Sequence, residues 1–261
     1  MPGTFSVPGT IAVVTGAAGG IGRAVAERLL ADGAARVVVA DRDGDRARAT
    51  AEELGPRASW EAFDVADEGA VAAAVKRIWD GVGPVDLWCS NAGVGAGEGL
   101  GDDADWDLSW RVHVMAHVYA ARALFPRMAG RGGHFLVTAS AAGLLTNLDT
   151  APYTVTKHGA VALAEWLAIR HGDEGIGVSC LCPQGVNTAM TAGDGSSAST
   201  RLGGQYLEPE EVADCVAAAL RDGRFLILPH PEAAEFERRR AQDRDRWLKG
   251  MRKAWAKLKG A

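Results

Sequence analysis

Residues that staple or tether a chain are scarce. The four cysteines, Cys89, Cys180, Cys182 and Cys215, lie scattered among apolar neighbours without a CxxC pair or a metal-ligand cluster, which argues against a disulfide scaffold or a zinc centre. They read as buried thiols of a reducing compartment. No apolar run reaches the roughly 20 residues of a membrane-spanning helix. Residues 1–10 lack the basic segment and long apolar run of a signal peptide. A cytoplasmic protein with no membrane partner is therefore expected. An excess of positive charge is missing too. The 28 basic and 33 acidic residues leave a net charge of −5, without the basic field that grips nucleic acid. The balance is uneven, since residues 231–261 carry 10 basic against 5 acidic residues. No internal repeat, interdomain linker or metal-binding histidine triad is apparent.

What is present is an alternation. Short β-branched runs at residues 11–15, 37–40, 59–63, 87–90, 135–138, 178–182 and 225–228 are separated by Ala-rich segments of helical period. Helices are expected near 20–32, 44–54, 68–80, 106–128, 153–172 and 209–222. Nearly continuous apolar strands between helices imply a parallel sheet covered on both faces, so the fold class is α/β, a Rossmann-like doubly wound domain with seven strands. The length of 261 residues suits one such domain over 1–230, followed by a charged amphipathic helical extension over 231–261. The small, polar stretch 192–204 breaks the alternation and reads as a mobile loop.

Four groups of residues carry chemistry. Between the first strand and first helix stands Thr15-Gly16-Ala17-Ala18-Gly19-Gly20-Ile21-Gly22. Glycines there let the backbone turn tightly and approach a pyrophosphate, whose charge meets the helix N-terminus; an ordinary glycine-rich turn is the plainer alternative. Asp41 ends the second strand, 19 residues after Gly22, where an acid accepts from a ribose 2′-OH and repels a 2′-phosphate. This favours NAD over NADP, although Arg42 beside it offers a phosphate partner. Asp64 ends the third strand and is a weaker candidate for the adenine edge. Tyr153 and Lys157, four residues apart, share one helix face, and a neighbouring cation lowers a phenol's pKa from its usual value near 10. Ser140 and Asn91-Ala92-Gly93 end two further strands facing the same crevice. Each alone has a bland reading as a turn residue.

Together, TGAAGGIG at 15–22, Asp41, Asp64-Val65, NAG at 91–93, Ser140, YTVTK at 153–157 and PQGVNT at 183–188 resemble the short, single-domain branch of the short-chain dehydrogenase/reductase family. The resemblance spans about residues 10–228. It implies an NAD-dependent oxidoreductase that interconverts a secondary alcohol and a ketone. Tyr153 would be the acid/base, Lys157 would lower its pKa and hold the nicotinamide ribose, and Ser140 would bond the substrate oxygen. NAD would contact Gly16, Gly20, Ile21, Gly22, Asp41, Arg42, Asp64, Val65, Asn91, Tyr153, Lys157, Val186 and Thr188. A homodimer or homotetramer is expected. The competing class is a nicotinamide-binding regulatory or scaffold protein with little turnover.

Two positions depart from the family. Where it usually has an Asn whose backbone holds a proton-relay water, this chain has His113; the alternatives are a buried, satisfied histidine and a relay member that titrates near neutral pH. Gln184 separates Pro183 from Gly185, where the family more often has PG. In the extension, Trp247, Met251, Trp255 and Leu258 form one apolar stripe. Packing on the body or another subunit is the first reading of it, and a lid over the substrate is another. The substrate pocket is expected from 95–101, 142–150 and 189–206.

Overall fold

The apolar runs form seven parallel strands in the order β3-β2-β1-β4-β5-β6-β7. They are β1 Ile11–Thr15, β2 Arg36–Asp41, β3 Ala58–Ala62, β4 Leu87–Ser90, β5 Gly133–Thr138, β6 Ile176–Leu181 and β7 Leu226–Ile227. The computed structural model describes residues 4–95, 97–192 and 205–259; most of the stretch read from sequence as a mobile loop, 193–204, lies outside them. At the centre, Val13 of β1 stands opposite Val38 of β2 and Trp88 of β4, and all three are essentially inaccessible to solvent. β3 is one of the two edge strands, and only part of it is covered: Trp60 is 45% exposed, and the continuous apolar pattern of the inner strands is lost there.

Helices cover both faces. On one lie α1 (Gly20–Ala31) and the helix at Pro209–Asp222, here α7, which bury Val25, Leu29, Val212, Val216 and Leu220 against Val14, Val37 and Leu181. On the other lie α3 (Glu68–Gly81), α5 (Ala116–Met128) and α6 (Ala151–His171), packing Ile78, Leu124, Met128 and Val161 against Val13, Trp88 and Phe135. At about 25 cal/mol per Å² of apolar area removed from water, this two-sided burial is the main stabilising term. Asp43 and Asp67 cap α2 (Gly44–Leu54) and α3, accepting from the amides of Arg46 and Ala70.

The single helix expected at 106–128 is composite. α4 (Asp103–Trp110) starts in a capping box between Asp102 and Asp105, and a π-helical turn at Arg111–Met115 joins it to α5. One extra residue per turn leaves little mark on the apolar period, and such turns concentrate at functional sites. The C-terminal extension is also in two pieces, α8 (Glu232–Gln242) and α9 (Arg244–Lys259). Asp243 is extended between them, and its carboxylate accepts from the Arg246 amide.

Candidate active site

The carboxyl ends of β1, β2, β4, β5 and β6 open on one cleft of about 390 Å³. Ser140, Tyr153, Lys157, Gly16, Gly20, Ile21, Gly22, Asp41, Arg42, Asp64, Val65, Asn91, Val186 and Thr188 all line it. The fold thus brings together every candidate residue but His113, which lies behind the wall, fully buried. In a doubly wound sheet this crevice is where a nucleotide sits.

The glycines are explained by close approach. Gly16 has φ +65°, and a Cβ there would stand 2.8 Å from Ala92 Cα; a Cβ on Gly22 would stand 2.4 Å from the Gly16 carbonyl oxygen. Only a bare backbone passes between β1 and the NAG turn. Thr15 fixes that turn from below, its hydroxyl accepting from the amides of Asn91 (2.9 Å) and Ala92 (3.1 Å), while Asn91 Nδ2 donates to the Thr15 carbonyl at 3.0 Å. Asp41 accepts from the Ala18 amide at 3.3 Å and the Asp43 amide at 3.2 Å, which holds its carboxylate beside the glycine-rich loop. Asp64 accepts from the Ala66 amide at 2.8 Å.

Sequence reasoning missed Arg46. From the first turn of α2 it donates to the Ala18 carbonyl at 3.4 Å and joins Arg42 in the cleft wall. Its only sequence signal is a basic residue five positions after Asp41. Thr138 went unmarked as well; its carbonyl receives Lys157 Nζ at 3.0 Å, and its buried hydroxyl has no partner among the described residues.

Pro152 sets the first turn of α6, placing Tyr153 at the cleft and Lys157 one turn on. Lys157 is buried, and removal from water brings its ammonium down to about 8. Burial pushes the Tyr153 phenol up, while a hydrogen bond from Ser140 pulls it back. Lys157 Nζ lies 5.6 Å from the Tyr153 ring centroid. Burial, not the Lys157 ammonium that the spacing led one to expect, sets the direction of the phenol's shift, and Ser140 is the group that opposes it. Ser140 itself accepts from the Ala142 amide at 3.1 Å.

His113 sits in the π-helical turn. Its Nε2 accepts from the Val94 amide at 3.1 Å, its Nδ1 is 2.9 Å from Thr156 Oγ1, and its ring meets Tyr153 edge-on at 5.3 Å. Burial, then Lys157 and His117, holds it down at about 2, so it does not titrate near neutral pH as an ordinary histidine would. One turn on, His117 is buried with Nδ1 2.7 Å from Ser90 Oγ and Nε2 unpartnered among the described residues. His158 Nδ1 donates to the Thr154 carbonyl at 2.9 Å. Among the described residues, no group of three His, Cys, Asp or Glu is arranged to hold a metal, and no helix is long and apolar enough to cross a membrane.

A second cavity of about 430 Å³ adjoins the cleft at Ser140, Tyr153 and Gln184. Gly95, Ala142, Leu145, Leu148, Met190 and Tyr206 line it, within the three segments expected to form the substrate pocket, and so do Phe236 of α8 and Trp247, Met251 and Ala254 of α9. The apolar stripe of the extension thus faces the body, with Trp247, Met251, Trp255 and Leu258 all partly buried.

Comparisons with known proteins identify the family. Residues 10–198 match the family model of short chain dehydrogenases. The chain is 35% identical, over 85% of its own length and 85% of the relative's, to the 1-deoxy-11-beta-hydroxypentalenate dehydrogenase of Streptomyces avermitilis. It is 32% identical, over 85% and 87%, to the mitochondrial borneol dehydrogenase of Lavandula x intermedia. Among solved structures, a short-chain dehydrogenase/reductase from Burkholderia phymatum in complex with NAD superposes with a TM-score of 0.83 at 32% identity, over 92% of this chain and 96% of that one. A putative NAD(P)-dependent gluconate 5-dehydrogenase from Beutenbergia cavernae with bound NADP gives 0.78 at 27%, over 89% and 100%. On the family-model match, the identity to these relatives and the superposed fold, the chain belongs to the short-chain dehydrogenase/reductase family and is an oxidoreductase acting on CH–OH groups with a nicotinamide cofactor.

Proposed function

We propose that the protein is an NAD(H)-dependent dehydrogenase that interconverts a secondary alcohol and a ketone. The observation that carries this reading is the convergence of Ser140, Tyr153 and Lys157 with the glycine-rich loop and Asp41 on one cleft. The residues present fit a dinucleotide: Gly16, Gly19, Gly20 and Gly22 leave the cleft wall bare of side chains, Asp41 is held at its rim, and the Thr138 hydroxyl is a buried polar atom in that wall with no partner among the described residues. Gly16, Gly20, Ile21 and Gly22 would receive the pyrophosphate; Asp41, Arg42, Asp64 and Val65 the adenosine end; Asn91, Tyr153, Lys157, Val186 and Thr188 the nicotinamide end. When bound, NAD supplies the hydride acceptor of alcohol oxidation, and NADH the donor of the reverse reaction.

The chain's own residues supply placement and protons. Ser140 positions the substrate oxygen. The raised Tyr153 phenol is protonated at neutral pH, ready to donate to the oxygen on which negative charge develops in ketone reduction. In oxidation it must lose that proton, and the Lys157 ammonium stabilises the phenolate. His113 stays neutral, so its contribution is to hold the Val94 turn and Thr156 together rather than to carry a proton. A regulatory protein without turnover is the weaker reading, because the three catalytic side chains are present and juxtaposed.

Asp41 supports NAD over NADP, with Arg42 and Arg46 beside it as the opposing influence. Exposed apolar side chains on α4 and α6, Trp110 (45%) and Trp166 (57%) among them, support a homo-oligomer. The four unpaired cysteines support a reducing, cytoplasmic setting. Absorbance of NADH over a panel of secondary alcohols and ketones tests the reading; a protein that binds NADH and turns over none of them would leave the regulatory alternative.

A further inference from the structure

The second cavity differs from the cleft in chemistry. Its walls are Leu145, Leu148, Met190, Phe236, Trp247 and Met251, and among the described residues no charged side chain lines it. Its polar side chains are largely engaged within the protein. The Thr146 hydroxyl donates to the Leu145 carbonyl at 2.6 Å, the Thr191 hydroxyl to the Val186 carbonyl at 2.6 Å, and Asn147 Oδ1 accepts from the amides of Asp149 and Thr150. The two hydroxyls assigned to the reaction, those of Ser140 and Tyr153, stand where this cavity meets the cleft. An anionic or polyhydroxylated ligand would lose its hydration here without recovering it.

The extension forms one side of this cavity and is fastened to the cleft wall at Gln184. Gln184, the residue inserted between Pro183 and Gly185, donates from Nε2 to Glu232 Oε1 at 3.2 Å, and its amide donates to His230 Nδ1 at 3.2 Å. Arg240 of α8 meets His158 of the catalytic helix at 3.3 Å, and Ala233 is fully buried. α9 is then held on α8 through Phe236 and Trp247, whose ring centroids are 6.3 Å apart.

We propose that this cavity is the substrate subsite for a neutral, apolar, ring-based ketone or secondary alcohol, and that Trp247 and Met251 of the C-terminal helix set the size of the ring system accepted. The proposal rests on the dehydrogenase reading for its reaction but not for its binding. The volume of about 430 Å³ lies in the range of small-molecule sites, roughly 300–1,000 Å³. Aromatic and thioether walls suit a rigid apolar body that loses little conformational freedom on binding.

The experiment uses the full chain with NADH and four ketones: cyclopentanone, cyclohexanone, its ring carboxylate oxocyclohexanecarboxylate, and the fused bicyclic decalone. The wild type should reduce decalone with the highest kcat/KM and the carboxylate with the lowest. Trp247→Ala should lower the decalone-to-cyclopentanone ratio of kcat/KM by about tenfold, chiefly through KM, the scale expected for lost apolar pocket contacts. Met251→Trp, which fills the cavity instead of emptying it, should lower the same ratio and serves if the first variant fails to fold. In parallel, decalone should raise the melting temperature of the NAD-loaded wild type and not of Met251→Trp. Preference for the carboxylate, or an unchanged ratio in a folded variant, overturns the proposal while leaving the dehydrogenase intact. A melting shift abolished by Met251→Trp, with no ketone reduced, supports the subsite and removes the dehydrogenase reading; neither shift nor turnover removes both.

Discussion

His113 Nδ1 lies 2.9 Å from Thr156 Oγ1, and because that hydroxyl donates to the Pro152 carbonyl at 2.7 Å, the histidine is the donor. Its other nitrogen must then accept, as it does from the Val94 amide. The neutral Nδ1–H tautomer is thereby fixed, and the ring ties the turn after Asn91-Ala92-Gly93 to the helix that carries Tyr153 and Lys157.

A rate profile between pH 5 and 9 should therefore contain no component due to His113, whose pKa is held at about 2. His113→Leu leaves the Val94 amide without its acceptor and should destabilise the fold by roughly 1–3 kcal/mol while lowering kcat. Thermal denaturation and pH-rate profiles of wild type and variant check this. A limb near pH 6.5 that disappears in His113→Asn would show that the residue titrates in the reaction.

Asp41 should make kcat/KM at least about tenfold higher with NAD than with NADP, a difference of about 1.4 kcal/mol. Asp41→Ser should narrow the gap by removing the repulsion of a 2′-phosphate. Arg46→Ala should widen it, since Arg46 lines the same wall and offers a phosphate partner. Initial rates at matched subsaturating cofactor decide the matter, and faster turnover with NADP in the wild type would reverse the assignment.

Lys157 should cost the fold stability at neutral pH. Its folded pKa of about 8 lies below the ordinary 10.5, so the folded state disfavours its charged form. The cost is fully present below pH 8 and is relieved as pH rises through 8 towards 10.5. Lys157→Met, of similar volume, should accordingly stabilise the protein at pH 7 by about 1–4 kcal/mol, with the gain fading at alkaline pH, while abolishing turnover. Denaturation midpoints at pH 7 and pH 10 measure both parts; a variant less stable than wild type at pH 7 would contradict it.

The parts legible in the sequence were those written in short-range pattern. Strand and helix periods located the sheet, and the residues ending β1, β2, β4 and β5 had to meet at one crevice because parallel strands share a carboxyl edge. The π-helical turn at Arg111–Met115 escaped because one added residue barely disturbs a helical period. Arg46, and the contacts of Gln184, which is marked in the sequence only as a departure from the family, escaped for another reason. Their partners, Ala18 for one and Glu232 and His230 for the other, lie 28 or more residues away in sequence, and no local signal encodes those contacts. The break at Asp243 was readable in principle as an N-cap, but the continuous apolar stripe over 247–258 drew attention to one helix instead of two.

The claim on which the rest depends is that Tyr153 moves the proton, and Tyr153→Phe tests it with the least disturbance, since it removes only the hydroxyl. NADH affinity, measured by fluorescence titration, should stay within about twofold of wild type, while kcat for any ketone reduced by the wild type should fall by about 10²-fold or more, the scale of a lost general acid. In the wild type, kcat/KM for alcohol oxidation should rise with pH, because the phenol's pKa is raised and oxidation needs its deprotonated form. A Tyr153→Phe protein that binds NADH and retains near-normal turnover would show that the proton travels by another route.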